Sequence, residues 1–404
     1  MMKRLQADVL VVGAGPAGMA AIRALLKVGR QVIWIDNQVR PGGQIWRGGP
    51  PPAWQNMADL PGLTLLRSHA VIAADGPTAL VLHDTAQNLA LRVEAPQLLL
   101  ATGARERMLP FPGWTLPGVT GAGGLQALVK GGWPVAGKRV VLAGSGPLLL
   151  AAADTVQANG GKVLAIVEQA RPAALAGFAA RLPLGKAAQA LSLRWRLRGT
   201  PYLHGTWVQK ADGEAKLESL QLSNGQQVAC EALGVGFGLL PNTELAALLG
   251  CALRDGAVAV DAQLQTSVKG IFAAGECTGI GGVDKSLLEG ARAAEAMLGR
   301  TPSRARQHAQ ALAFGRALQS SFALRPELLK LADARTLVCR CEDVRLGELK
   351  ACRSWRDAKL QTRCGMGTCQ GRICGGITRE LFGWADAPGL PRAPLQPVPI
   401  HVLL

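Results

Sequence analysis

The chain has 404 residues, a formal net charge of +16, 49% hydrophobic residues and 4% aromatic residues. That length allows two or three domains with separate cores, and the longest apolar runs, such as Gln97-Leu-Leu-Leu-Ala101, are strand-length, well short of the ~20 residues that cross a bilayer. The basic residues are spread along the chain and no recognition motif accompanies them, which argues against nucleic acid and for an Arg-rich surface facing acidic partners or water.

Met1-Met2-Lys3-Arg4 before Val9-Leu-Val-Val12 mimics a secretion signal, but the apolar run is short, ends in a glycine loop and lacks a small-residue cleavage site. A cytoplasmic location is expected. Asp8-Val-Leu-Val-Val12 reads as a buried parallel strand. It runs into Gly13-Ala14-Gly15-Pro16-Ala17-Gly18, and apolar residues at Ala21, Ala24, Leu25 and Val28 then repeat at helical spacing up to Gly29. A second strand, Val32-Ile-Trp-Ile35, ends on Asp36. In such a unit the first glycine permits the tight turn, the second lets backbone approach a pyrophosphate, and the third lets helix and strand pack closely. The helix N-terminus offers unpaired N–H groups to the anion, and the terminal acid accepts from a ribose. The residues of this loop and Asp36 are therefore expected to hold a dinucleotide.

Pro41-Gly-Gly43-Gln44 follows the acid, and Leu98-Leu-Leu-Ala101-Thr102-Gly103 reads as a strand entering a loop. Residues 138–168 then repeat the first pattern: strand Arg139-Val-Val-Leu-Ala143, loop Gly144-Ser-Gly146, a helix to about Ala158, strand Val163-Leu-Ala-Ile-Val167 and acid Glu168. The third glycine is replaced by Leu149, which should push the helix from the strand or shift its register. Glu168 would repel a 2′-phosphate, which disfavours NADP. A working NAD site, an adenine-nucleotide site with a structural role and a vestigial fold are the three readings. Thr266-Ser-Val-Lys-Gly-Ile-Phe-Ala-Ala-Gly275-Glu276 follows, and Gly279-Ile-Gly-Gly282 opens an expected helix to about Met297.

On these segments the chain resembles the two-dinucleotide-fold flavoprotein family, which includes thioredoxin reductase-like enzymes, over roughly residues 5–300. The resemblance implies an α/β fold with two Rossmann-like domains and FAD in the first. Gly43 and Gln44 stand at the family's turn beside the FAD, and Ala101, Thr102 and Gly103 where the chain leaves the first FAD segment. Gly275 and Glu276 stand at the distal motif whose acid reaches the ribityl chain; that acid is usually Asp. The helix opening at Gly282 would face the pyrimidine side of the flavin and favour its anionic reduced form. The inserted second fold binds NAD(P)H in this family, which would place Gly144, Gly146 and Glu168 at a nucleotide.

Nine cysteines, six of them between Cys339 and Cys374, argue against a disulfide framework and for a cofactor site. Residues 42–60 hold no Cys, and Cys230 and Cys251 are not spaced as a redox pair, so a dithiol reductase is not expected. After a helical connector, Cys339-Arg-Cys341 and Cys369-Gln-Gly-Arg-Ile-Cys374 supply four thiolates, as a 2Fe–2S cluster requires. Buried structural thiols or zinc are the alternative, although structural zinc sites more often use Cys-x-x-Cys. Thr362-Arg-Cys-Gly-Met-Gly-Thr-Cys-Gln-Gly-Arg372 resembles the bacterioferritin-associated ferredoxin-like domain over about residues 336–385. That resemblance places ligands at Cys369 and Cys374 and leaves Cys364, where small residues are usual, as a non-ligand. Arg340, Arg363 and Arg372 flank the thiolates, and their charge would raise the potential of a cluster or merely solvate the surface.

The expected division is 1–112 and 243–300 for the FAD domain, 113–242 for the inserted fold, 301–335 for a helical connector, 336–386 for the small helical cluster domain and 387–404 for an extended Pro-rich tail. The five histidines read as isolated, and no catalytic set is recognisable; the catalytic residues are unknown at this level. The fold order, Gly144-Ser-Gly-Pro-Leu-Leu149, Gly275-Glu-Cys-Thr-Gly-Ile-Gly-Gly282 and the final cysteines together resemble the alpha (A) subunits of opine oxidases, D-hydroxyproline dehydrogenase and hydrogen cyanide synthase. The resemblance implies, for a partner, an amino-acid-oxidase-like flavoprotein beta subunit, with a small ferredoxin-like gamma subunit beside it. Electrons would then pass from amine oxidation through FAD and 2Fe–2S toward the respiratory chain at the inner face of the membrane. The runner-up is a stand-alone NADH-dependent ferredoxin-type reductase. A non-enzymatic alternative is an assembly scaffold.

Overall fold

The computed structural model describes residues 2–384 and 391–403. The start of the Pro-rich tail and the end of the cysteine-rich segment, residues 385–390, lie outside the described residues. The chain forms two compact units, one of residues 1–105, 240–316 and 390–404, the other of residues 106–239 and 317–389.

In the first unit a five-stranded parallel sheet runs Ile271–Ala273, Gln97–Leu100, Val9–Val12, Val32–Ile35, Leu63–Leu66. Val9–Val12 and Val32–Ile35 are buried throughout. Parallel strands covered on both faces need such continuous apolar character, and that explains why no alternation marks them in the sequence. Helix Pro16–Leu26 follows the first strand, and helix Gly282–Met297 packs across it at Gly290, where a Cβ would stand 2.0 Å from the carbonyl oxygen of Ala17. A four-stranded sheet of Lys3–Gln6, Leu89–Glu94, Ala79–Asp84 and His69–Ala74 also belongs to this unit. In the tail, Leu395 donates its N–H to the Ile72 carbonyl at 2.8 Å, and a short 3-10 turn spans Ile400–Val402.

In the second unit the parallel sheet runs Val119–Gly121, Ala232–Gly236, Arg139–Gly144, Lys162–Glu168, Tyr202–His204. Helix Leu148–Ala158 begins four residues after Gly144, whereas Pro16–Leu26 begins three after Gly13, a one-residue difference at the helix start. Leu149 is fully buried rather than displaced. Leu149 packs against Gly236 on the facing strand, where a Cβ would stand 3.6 Å from Leu149 Cδ2, in ordinary contact. The cysteine-rich segment contributes the hairpin Leu337–Cys339/Val344–Arg345 and helices Trp355–Thr362 and Cys374–Phe382. Its Val338, Leu349 and Ile377 share one buried cluster with Val141, Val167 and Leu233 of the second sheet.

Candidate functional site

The carboxyl ends of three adjacent strands of the first unit, Val9–Val12, Gln97–Leu100 and Ile271–Ala273, lead directly into Gly13, Ala101 and Gly275. Parallel pairing therefore gathers three motifs that are far apart in sequence at one sheet edge, the place where ligands bind in open α/β sheets. Gly13 (φ +112°) lies so close to the neighbouring loop that a Cβ would stand 2.1 Å from the Ala101 carbonyl oxygen. Trp34 Nε1 donates to the Gly13 carbonyl at 3.1 Å and fixes the turn. Gly18 is equally constrained, with a Cβ 2.1 Å from the Gly13 oxygen. Gly15 differs: its Cβ would meet nothing within 4 Å, while Gly43 (φ +60°) approaches its Cα. Two backbone segments thus line an open cradle before the N-terminus of helix Pro16–Leu26, which fits the pyrophosphate of a dinucleotide.

Asp36 stands at that edge, accepting from Ala14 N at 2.5 Å and Gln38 N at 2.7 Å. Burial pushes its carboxyl above the usual range, against the two N–H groups and Arg47. Thr102 Oγ1 donates to the Asn242 carbonyl at 2.8 Å, and Asn242 Nδ2 returns a bond to the Thr102 carbonyl at 2.9 Å, so the Ala101–Gly103 loop is locked in place. Glu276 Oε1 accepts from Gly281 N at 3.0 Å and Gly282 N at 2.7 Å. The acid expected to reach a ribityl chain caps the following helix here.

Beneath that turn lies a network that motif spacing does not reveal. Lys285 is 2% exposed, and its Nζ donates to the Gly275 carbonyl, Thr278 Oγ1 and Glu289 Oε2, each at 2.8 Å. Glu289 Oε2 also accepts from Gly275 N at 2.8 Å, and Oε1 lies 3.0 Å from His308 Nε2. Burial raises the Glu289 carboxyl, but His308, Lys285 and the Gly275 N–H outweigh it and leave the group below the usual range. His308 is therefore not isolated, contrary to expectation. In sequence Lys285 and Glu289 form only an i, i+4 pair on a helix, indistinguishable from a solvated one. Cys277 is wholly buried among backbone carbonyls, which pushes its thiol up; it is no reactive nucleophile.

The second fold is differently occupied. Gly146 (φ +99°) has the Phe322 ring 3.8 Å from where its Cβ would be. Gln169 Nε2 donates to the Ala323 carbonyl at 3.0 Å and its Oε1 accepts from Arg325 N at 3.1 Å. Arg325 stacks on Trp207, 4.6 Å from the ring centroid, and Phe322 meets Phe178 edge-on at 5.0 Å. Residues 322–325 are thus anchored over the loop where a nucleotide's phosphates would lie. Glu168 is 0% exposed: Oε2 accepts from Gly146 N at 2.7 Å, and Oε1 from Ser145 Oγ at 3.0 Å and Ala170 N at 2.8 Å. Burial pushes its carboxyl up despite these donors.

At the cysteine-rich end, the Sγ atoms of Cys339, Cys364 and Cys374 all lie within 4.8 Å of one another, and all three residues are buried. Cys341 is exposed and beside Thr368, with Sγ 3.8 Å from Oγ1, and its thiol is lowered first by the Cys369 backbone N–H. Cys369 is half-buried, and Cys352 lies apart with its thiol toward the Glu348 carbonyl. The loop owes its path to glycine: a Cβ on Gly367 would stand 2.2 Å from Cys341 Cβ, and one on Gly365 2.6 Å from the Trp355 ring. Two of the four expected ligands, Cys339 and Cys374, come within reach of one metal together with Cys364, the expected non-ligand, while Cys341 and Cys369 lie outside that group. Of the flanking arginines, Arg340 stacks on Trp114 at 5.4 Å, Arg363 pairs with Glu342 at 2.8 Å and Arg372 reaches the Cys369 carbonyl at 3.3 Å.

Known proteins share this architecture. Residues 7–297 match the pyridine nucleotide-disulphide oxidoreductase family model. The A subunit of opine oxidase from Rhizobium meliloti (strain 1021) is 33% identical, with 97% of each chain covered. Hydrogen cyanide synthase subunit HcnB of Pseudomonas aeruginosa is 32% identical over 96% of this chain and 97% of its own. Among solved structures, L-proline dehydrogenase from P. horikoshii superposes with a TM-score of 0.71 at 19% identity, covering 100% of this chain and 80% of that one, a likeness of fold. Among the described residues no helix is long and apolar enough to cross a membrane.

Proposed function

Because the chain belongs to the pyridine nucleotide-disulphide oxidoreductase family and is an FAD-dependent oxidoreductase, we propose that it is the FAD- and 2Fe–2S-bearing electron-transfer subunit of a heteromeric amino-acid dehydrogenase of opine, hydroxyproline or glycine type. Its relatives are named as subunits, which supports a chain that works with partners. The partner in this reading is an amino-acid-oxidase-like flavoprotein that oxidises the amine, with a small ferredoxin-like subunit beside it and a respiratory acceptor at the inner face of the membrane beyond.

FAD would supply a two-electron carrier and a 2Fe–2S cluster a one-electron carrier, so that a pair of electrons can be divided. The residues toward FAD are Gly13, Ala14, Gly15, Pro16, Ala17 and Gly18 around the open cradle, Asp36 at the ribose, Gly43 and Gln44, Ala101, Thr102 and Gly103, and the Gly275–Glu276 turn. Gly15 fits the role best, since the space its missing Cβ leaves is open. Lys285 and Glu289 hold the Gly275 turn by both its N–H and its carbonyl and so position the loop. Cys339, Cys341, Cys369 and Cys374 would hold the cluster. No side chain of a substrate-oxidising set is assigned to this chain.

The observation that carries this reading over an NADH-dependent reductase is the cover on the second fold. Gly144, Gly146 and Glu168 are present, but Phe322 lies on the loop and Glu168 is enclosed by its own backbone. A nicotinamide dinucleotide has no seat there without displacing residues 322–325. Stopped-flow mixing of the purified flavoprotein with NADH tests this. The flavin should stay oxidised, and should be reduced when the amine-oxidising partner and its substrate are added. Fast bleaching by NADH alone would favour the reductase, and protein lacking both flavin and iron would leave only a scaffold.

A further inference from the structure

Of the six cysteines at this end Cys352 lies apart, and the other five are one more than a four-ligand cluster uses; the extra one, Cys364, is buried beside two of the expected ligands. Helix Trp355–Thr362 ends on Arg363 in the left-handed region (φ 64°), which turns the chain so that Cys364 enters the core. Cys364 is 0% exposed, and its Sγ lies within 4.8 Å of both Cys339 Sγ and Cys374 Sγ. Thiolates on one tetrahedral metal, with bonds of about 2.3 Å, sit about 3.8 Å apart, close to that spacing. Cys341 is exposed and Cys369 half-buried, and Cys341 Sγ lies 3.8 Å from Oγ1 of Thr368, the residue before Cys369, so these two form the outer pair. The five thiols thus divide into a buried three and an outer two.

Resting on the cluster reading above, we propose that Cys364 is a reserve ligand for the inner iron, which Cys339 and Cys374 hold, while Cys341 and Cys369 hold the outer iron. If Cys374 is removed, the Cys364 thiol gives its proton to solvent and binds as thiolate in its place. The count of four thiolates and the charge of the site are unchanged. The outer pair has no such reserve, since Cys364 clusters with Cys339 and Cys374 rather than with Cys341 and Cys369. The alternative, a cysteine acting only as a small buried filler, makes no difference to ligand loss at Cys374.

The test uses the full chain, reconstituted anaerobically with iron and sulphide, reading iron and acid-labile sulphide content, the visible spectrum and the electron paramagnetic resonance of the reduced protein. Far-ultraviolet circular dichroism confirms folding of each variant. Cys364→Ala should keep the wild-type cluster and spectrum. Cys374→Ala should keep iron and sulphide with shifted g values, and Cys374→Ala/Cys364→Ala should lose them. Cys369→Ala should lose them even with Cys364 present. Equal behaviour of the single Cys374 variant and the double variant overturns the reserve role. Loss of the cluster in Cys364→Ala alone also overturns it, because Cys364 would then be a resident ligand. A wild-type chain that takes up no iron or sulphide removes the cluster reading itself, a result distinguishable from both.

Discussion

The carboxylate of Glu168 accepts the N–H of Gly146 at 2.7 Å with neither group open to solvent, at the point where a working dinucleotide fold would present both to a ligand. The hydrogen bonds to Ser145 and Ala170 complete the enclosure. Glu168→Ala should therefore destabilise the chain by at least about 1–3 kcal/mol, because buried donors lose their acceptor. Chemical denaturation of the variant should show this loss. Titration of wild-type protein with NADH or ADP should give no saturable binding, and submillimolar affinity for either would refute the cover formed by residues 322–325.

The buried pair Lys285–Glu289 should be among the costliest positions in the first unit. Lys285→Met leaves the Glu289 carboxylate with only Thr278 Oγ1 and the His308 ring as side-chain partners, and breaking one side of a buried pair costs about 3–5 kcal/mol. The Gly275 turn then loses the donor to its carbonyl. Lower melting temperature and lower flavin content should appear together.

Glu289 also sets a pH dependence whose sign follows from its environment. Its folded-state pKa is lowered relative to 4.5, with His308 and Lys285 facing the carboxylate and the Gly275 N–H donating to it. The unfolded chain therefore binds more protons as pH falls, so the stability it contributes is present above about pH 4.5 and is lost as pH drops through the folded value. Denaturation midpoints measured from pH 7 down to pH 3 should fall for wild type. Glu289→Gln should start lower and fall less; a slope equal to wild type would locate the acid response elsewhere.

Much of this is legible in the sequence, and the parts that are not share a cause. Strand–glycine–helix–acid units are local patterns, so both folds and the replacement of the third glycine by Leu149 can be read from neighbours in the chain. The neighbour that Leu149 packs against cannot, because Gly236 lies on a strand 87 residues away in sequence. Residues 322–325 read as connector, since nothing in Phe-Ala-Leu-Arg announces which loop it covers. Lys285, Glu289 and His308 carry ordinary surface chemistry, and only the packing of helix Gly282–Met297 buries the first two. The expected ligands are spaced recognisably. Resemblance alone sets Cys364 aside, and its approach to Cys339 depends on a hairpin and a helix end that spacing does not encode.

Glu276 separates a capping role from a ligand role. It accepts from Gly281 and Gly282 at the start of helix Gly282–Met297, where an acid is also favoured by the helix dipole. Glu276→Ala should cost about 0.5–2 kcal/mol, the usual range for a lost cap, and Glu276→Gln a smaller part of that. If the acid also contacts bound flavin, both variants should shift the flavin midpoint potential beyond what the stability change explains. An unchanged potential in Glu276→Gln would leave Glu276 as a cap alone.

The first glycine loop offers the cleanest distinction between folding and binding, because its glycines fail for different reasons. A Cβ on Gly18 would stand 2.1 Å from the Gly13 carbonyl oxygen and one on Gly290 2.0 Å from that of Ala17, so alanine at either forces backbone apart. Overpacking of that kind costs about 1–3 kcal/mol or more, and both variants should melt lower whether or not cofactor is present. Gly15 has φ −80° and ψ −177°, extended backbone open to any residue, and its Cβ would enter empty space. Gly15→Ala should therefore leave the apoprotein's denaturation midpoint unchanged, while the new methyl group stands where backbone would approach the pyrophosphate. Flavin content on purification and the FAD dissociation constant after stripping should report that loss. A Gly15→Ala protein that binds FAD as tightly as wild type would remove this loop from the cofactor site, whatever the stability of the other two variants.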